Sequence, residues 1–79
     1  MKTPQNMNPK VGQYIYRTFY DNTYSIGKIT SADNDCCYYT ILESNYHGTI
    51  IGGSYTYSYQ VFAIIADTLE EINKIRTFQ

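Results

Sequence analysis

Apolar positions along this chain fall in short runs broken by polar turn residues, a spacing that predicts strands rather than helices over most of its length. In residues 11–20, Tyr14, Tyr16 and Tyr20 share one parity and Val11, Ile15 and Phe19 the other. Successive strand side chains point to opposite faces, so both faces of this first strand are partly apolar. Asp21 and Asn22 give a turn signal, with no glycine following to take a positive φ. The second strand, 23–31, puts Tyr24 and Ile26 on one face and Ile29 on the other, and Gly27 between them is a candidate bulge that switches the parity. The polar turn Ala32-Asp33-Asn34-Asp35 precedes a third strand, 36–43, carrying Tyr38, Tyr39, Ile41 and Leu42.

A loop at 44–48, with Asn45, Tyr46 and His47, leads to a brief fourth strand at 49–51, closed by Gly52-Gly53-Ser54. The fifth run, 55–65, alternates Tyr55, Tyr57 and Tyr59 with small polar residues and then turns continuously apolar from Val61 to Ile65. The shared parity of the three tyrosines with Val61, Ala63 and Ile65 favours an inward orientation. A helix follows at 68–76: Asp67 and Glu70 make a capping box, and acidic residues come early and basic ones late, matching the helix dipole. Leu69, Ile72 and Ile75 form its apolar stripe. Residues 1–10, polar and carrying Pro4 and Pro9, read as a flexible N-terminal arm.

Five antiparallel strands and a terminal helix predict one domain over 11–79, a small SH3-like barrel or curved sheet with the short C-terminal α-helix closing an open end. Within that group the run FYDNTYSIGKITSADND resembles the opening hairpin of Tudor-type domains, where an aromatic, an acidic turn and a second aromatic lead into a strand and another acidic turn. The resemblance spans roughly residues 11–43 and is one of residue types. It implies a ligand-binding fold with an aromatic cage for a methylated group. The chain differs from such domains in having no tryptophan and in its long tyrosine-rich fifth run.

Composition sharpens the picture. A chain of 79 residues buries only about three-fifths of its unfolded surface, so its core is thin. Ten tyrosines and three phenylalanines must supply much of the burial, and ten hydroxyls exceed what so small a core can satisfy. Six basic against seven acidic residues, scattered along the chain, argue against a partner held by phosphate charge; Lys10, Arg17 and Lys28 make at best a small patch. Cys36 and Cys37 are adjacent and have no other cysteine to join, which suits a reduced, cytoplasmic chain. No run approaches the roughly twenty apolar residues that span a bilayer.

The candidate chemistry is therefore recognition. An aromatic surface of Tyr16, Tyr20, Tyr24 and Tyr46, extended by Tyr55, Tyr57 and Tyr59, offers rigid amphipathic contact area. Phe19, Tyr24 and Tyr46, with Asp21 as counter-charge, sketch a cage for a cation. Against both stands the bland reading that these rings are core. Cys36 or Cys37 with the single His47 makes a weak nucleophile–base sketch, and the same residues do not give the four spaced ligands of a structural zinc site. Glycines Gly48, Gly52 and Gly53 lack the lysine of a phosphate loop. The expectation is a non-enzymatic module without metal or cofactor that binds a protein or peptide through Phe19, Tyr20, Asp21, Tyr24 and Tyr46. A small phage or mobile-element inhibitor of a host enzyme is the alternative, and a homo-oligomeric structural protein joined by strand edges is the third.

Overall fold

A computed structural model describes residues 9–19, 22–58 and 63–76. Five strands form one antiparallel sheet: β1 (Tyr14–Thr18), β2 (Tyr24–Ala32), β3 (Cys36–Ser44), β4 (Ser54–Ser58) and β5 (Ile64–Ala66), followed by the helix α1 (Leu69–Arg76). Their order is β4-β3-β2-β1-β5, a four-strand meander whose fifth strand returns to pair with β1. The sheet is open, so of the two shapes expected the unclosed sheet is the one adopted, and β4 and β5 lie at its edges among the described residues. The expected arm lies outside those residues up to position 8. Pro9 is already buried, and the Lys10 amide bonds to the Gln13 side chain at 2.7 Å.

Both faces of the sheet carry a core, and the partly apolar faces read for the first strand contribute to both. On the inner face Ile15, Ile29, Cys37, Tyr39, Ile41, Tyr57, Ala63 and Ile65 pack together. On the outer face Tyr16, Ile26 and Ala66 pack under Ile72 of α1, with Tyr14, Tyr24, Ile64 and Ile75 at the margin. Ile15 and Tyr16, adjacent in sequence, therefore anchor two different cores. Along the described part of the fifth run the inward expectation holds, since Tyr57 is fully buried and Tyr55 packs against the inner core. Tyr59 lies outside the described residues.

Two register shifts curve β2 against β3. At the first, Ile26 pairs with Glu43 but Gly27 pairs with Ile41, so the extra residue is Leu42 on β3, opposite the glycine where the bulge was expected. The shift turns Glu43 to the helix side although its parity matches the inward Tyr39 and Ile41. Gly27 is required there because a Cβ would sit against the Tyr39 ring and 2.9 Å from the Thr40 carbonyl oxygen.

The strands of the second half differ from the sequence reading. Residues 49–51 are not a strand: Ile50 and Ile51 sit in a turn closed by the Gly53 amide on the Ile50 carbonyl at 2.9 Å, with Gly52 at φ +84°. The fourth strand is instead the tyrosine-alternating segment, and the apolar end of the same run supplies β5. A β4 that ends the meander at one edge cannot continue straight into a strand at the other. Thr68, not Asp67, caps α1, its hydroxyl accepting the Glu71 amide at 3.2 Å, while the Asp67 carboxylate accepts from the Gln13 side chain at 2.8 Å. Of the expected stripe, Ile72 is buried and Ile75 packs at the margin, but Leu69 is exposed.

Candidate functional site

Because β1 and β3 run the same way, the β1–β2 turn and the β3–β4 connection emerge at one end of the sheet. Hydrogen bonds to the Tyr24 backbone fasten them together. The Tyr24 amide donates to the Asn45 side-chain oxygen at 2.7 Å, the Asn45 amide to the Tyr24 carbonyl at 3.2 Å, and the Ser44 hydroxyl to that same carbonyl at 2.9 Å. Asn22 itself takes the positive φ, 64°, and the Phe19 amide reaches the Thr23 carbonyl at 2.9 Å. Tyr20 and Asp21, two of the expected binding residues, lie outside the described residues.

Phe19, Tyr24 and Tyr46 do come to this end. The Phe19 and Tyr46 rings lie 4.4 Å apart by centroid, and Phe19 and Tyr24 line one hollow of about 550 Å³ with Tyr16, Thr18, Asn22 and Thr23. Two of the three rings, Phe19 and Tyr24, already hold different cations of the chain. The Arg17 guanidinium stands 5.3 Å from the Phe19 centroid and 5.3 Å from that of Tyr57, and Arg76 stands 4.5 Å over Tyr24.

Tyr24 is thereby the hub of a lock between helix and sheet. Its hydroxyl donates to Glu43 and accepts from Arg76 at 2.9 Å, and Arg76 pairs with Glu43 at 2.9 Å. The Tyr24 hydrogen bond, aided by Arg76, holds the Glu43 carboxyl below its usual range, and the bond to Glu43 raises the Tyr24 phenol. The bulge at Leu42 makes this contact by turning Glu43 outward.

The aromatic surface expected from the sequence is thus divided. Tyr16 and Tyr57 are core because one lies under α1 and the other fills the inner face. Tyr55 is half-buried, its hydroxyl accepting the Ile50 amide at 3.1 Å, and among the described residues of that group only Tyr46 is well exposed. Lys28 and Arg17 stand on opposite faces of the sheet, so they form no common patch. Cys36 and His47 are separated by the length of β3, roughly 26 Å at about 3.3 Å per residue, which parts the sketched nucleophile from its base. Among the described residues no three His, Cys, Asp or Glu gather as metal ligands, and no helix is long and apolar enough to cross a membrane.

Two features escaped the sequence reading. Ile50 and Ile51 are 68% and 58% exposed, and Leu42 and Tyr46 of the same β3–β4 segment are also exposed. A signal existed: an apolar pair between Gly48 and Gly52-Gly53 is short for a strand. The other is Arg17, whose aromatic neighbours Phe19, Tyr39 and Tyr57 come from the hairpin turn, β3 and β4 and so meet only in three dimensions. No family model, curated protein or solved structure matches the chain.

Proposed function

We propose that this domain is a non-enzymatic protein-binding module that engages its partner through the loop end of the sheet, with Phe19, Tyr24 and Tyr46 joined by Ile50 and Ile51, and with Tyr20 and Asp21 at the hairpin tip. The observation that carries the reading is the placement of exposed apolar side chains. Of seven large hydrophobic residues exposed among those described, Tyr46, Ile50 and Ile51 belong to the β3–β4 connection and Leu42 to the end of β3 that leads into it, whereas Val11, Tyr38 and Leu69 stand apart. Single exposed apolar residues are ordinary, but a cluster on one loop, beside an aromatic pair and a hollow, is the composition of an interface centre. The two cores are complete without these side chains, so they are free to serve a partner.

The double variant Ile50→Asp/Ile51→Asp tests this. It should fold with stability within about 0.5 kcal/mol of the parent, since both side chains are exposed. In cross-linking from the native cell, one partner protein should be captured by the parent and lost with the variant. Equal capture by both removes the loop end from the interface.

A second reading, association of copies through a sheet edge, rests on β4. Its sequence SYTYS carries no charge, proline or bulge to discourage edge pairing. Sedimentation at rising concentration decides it, and a strict monomer eliminates it.

A further inference from the structure

Among the described residues Arg17 is a charge without a counter-charge. Its Nη1 donates to the Tyr39 hydroxyl at 3.2 Å, and its Nε is buried with no hydrogen-bond partner. Among the described residues its contacts are that neutral hydroxyl and the faces of Phe19 and Tyr57; the ion pair of this end of the sheet, Arg76 with Glu43, lies on the other face. Phe19 touches Tyr46 in turn, so a row of contacts runs from the fully buried Tyr57 through Arg17 and Phe19 to the exposed Tyr46. A desolvated guanidinium is costly unless paired, and one flanked by aromatic rings with N–H groups to spare is suited to a planar oxyanion, which accepts two parallel bonds.

Resting on the loop-end reading above, we infer that the partner presents an acidic side chain, and that its carboxylate pairs with Arg17 while its neighbouring apolar residue lies on Phe19, Tyr46 and Ile50. The protein is close to neutral overall, so specificity comes from this one placed cation and not from a field of charge. A carboxylate is favoured over phosphate because a lone guanidinium without lysines nearby balances one negative charge and not two: the cations Lys28 and Arg76 belong to the opposite face.

The test is a nitrogen-detected NMR titration of the Arg17 side chain and the Tyr46 and Ile50 amides in the whole chain, with acetyl-Glu-Leu-amide, acetyl-Gln-Leu-amide and inorganic phosphate as probes. The Glu peptide should shift the Arg17 Nε resonance saturably and bind at least about tenfold more tightly than the Gln peptide. Arg17→Lys should weaken it several-fold and Arg17→Met abolish the Glu preference, both variants keeping the amide spectrum of the fold. Asp21→Asn should leave the unbound Arg17 resonance in place. Equal affinity for Glu and Gln peptides, no Arg17 shift, a tighter saturable response to phosphate, or movement of the unbound resonance in Asp21→Asn each overturns the inference. The two readings separate cleanly. Shifts at Tyr46 and Ile50 with both peptides but none at Arg17 leave the loop end standing and remove the carboxylate. A Glu-specific shift at Arg17 without any at Tyr46 and Ile50 removes the loop end and the apolar half of the inference, leaving the carboxylate site.

Discussion

Ile72 is the residue on which the docking of α1 depends. It is fully buried, at 0% exposure, against Tyr16, Ile26 and Ala66, and it is the one residue of the helix that is buried outright. Ile72→Ala removes Cγ1, Cγ2 and Cδ1; at about 0.8 kcal/mol per buried carbon the transfer loss alone is about 2.4 kcal/mol. The cavity adds to this, because the paired strands β1, β2 and β5 beneath Ile72 cannot collapse into the space, which places the total at about 3 kcal/mol in a range of about 2–5. A chain of 79 residues has a net stability of about 4–12 kcal/mol at about 0.05–0.15 kcal/mol per residue, so the substitution removes a quarter or more of it. At about 4–8 °C per kcal/mol the midpoint falls by about 12–24 °C. The assay is thermal and urea unfolding followed by far-ultraviolet circular dichroism and tyrosine fluorescence, with Leu69→Ala as the control. Leu69 is 39% exposed and should cost well under about 1 kcal/mol beyond a small propensity gain. A loss below about 1 kcal/mol for Ile72→Ala, or equal losses for the two variants, would refute the packing of α1 on this face.

Gly27→Ala should destabilise by about 1–3 kcal/mol, read by urea unfolding, because the new methyl meets the Tyr39 ring and the Thr40 carbonyl. Burial, reinforced by the neighbouring Cys36 and Asp33 charges, pushes the Cys37 thiol up to about 11, so only about one in a thousand is thiolate near pH 8. Iodoacetamide should then label the half-exposed Cys36 of the native protein far faster than Cys37, and mass spectrometry of peptides cleaved between them would show it; equal rates would contradict the burial. Glu43, depressed below 4.5 by its bonds to Tyr24 and Arg76, stabilises the fold at pH above the ordinary carboxylate range. That contribution fades as pH falls through the lower, folded pKa. With the Arg76 and Glu43 side chains 28% and 51% exposed it amounts to under about 1 kcal/mol, and the difference between the parent and Glu43→Gln across about pH 2–5 should isolate it.

Much of the fold is legible in the residue pattern alone. Alternation gives β1, β2 and β3 to within a few residues, the polar cluster around Asp33 gives the turn between the last two, and the acidic-to-basic gradient gives α1. The mixed parity of Tyr14, Ile15 and Tyr16 marks both faces of β1 as partly apolar, because those periodicities are local and survive whatever packs on them. Register is not local. The residue opposite Gly27 is decided by how β3 bends across it, so the bulge at Leu42, and with it the turn of Glu43 toward Arg76, is a property of paired strands.

The candidate site divides the same way. Sequence singled out Phe19, Tyr24 and Tyr46 by type, since large amphipathic rings beyond the needs of a thin core must find solvent or a partner. It could not separate Tyr46, exposed, from Tyr16 and Tyr57, buried, because a tyrosine reads alike in either place. Nor could it mark Ile50 and Ile51 as surface, when apolar residues in a row ordinarily mean core. Chain composition and period determined an antiparallel β domain with one C-terminal helix; that the helix packs on the sheet through Ile72 is a tertiary fact. Only the tertiary contacts, made by residues 19, 39 and 57 reaching one guanidinium from separate segments while Tyr46 touches Phe19, decided which rings are core and which are exposed.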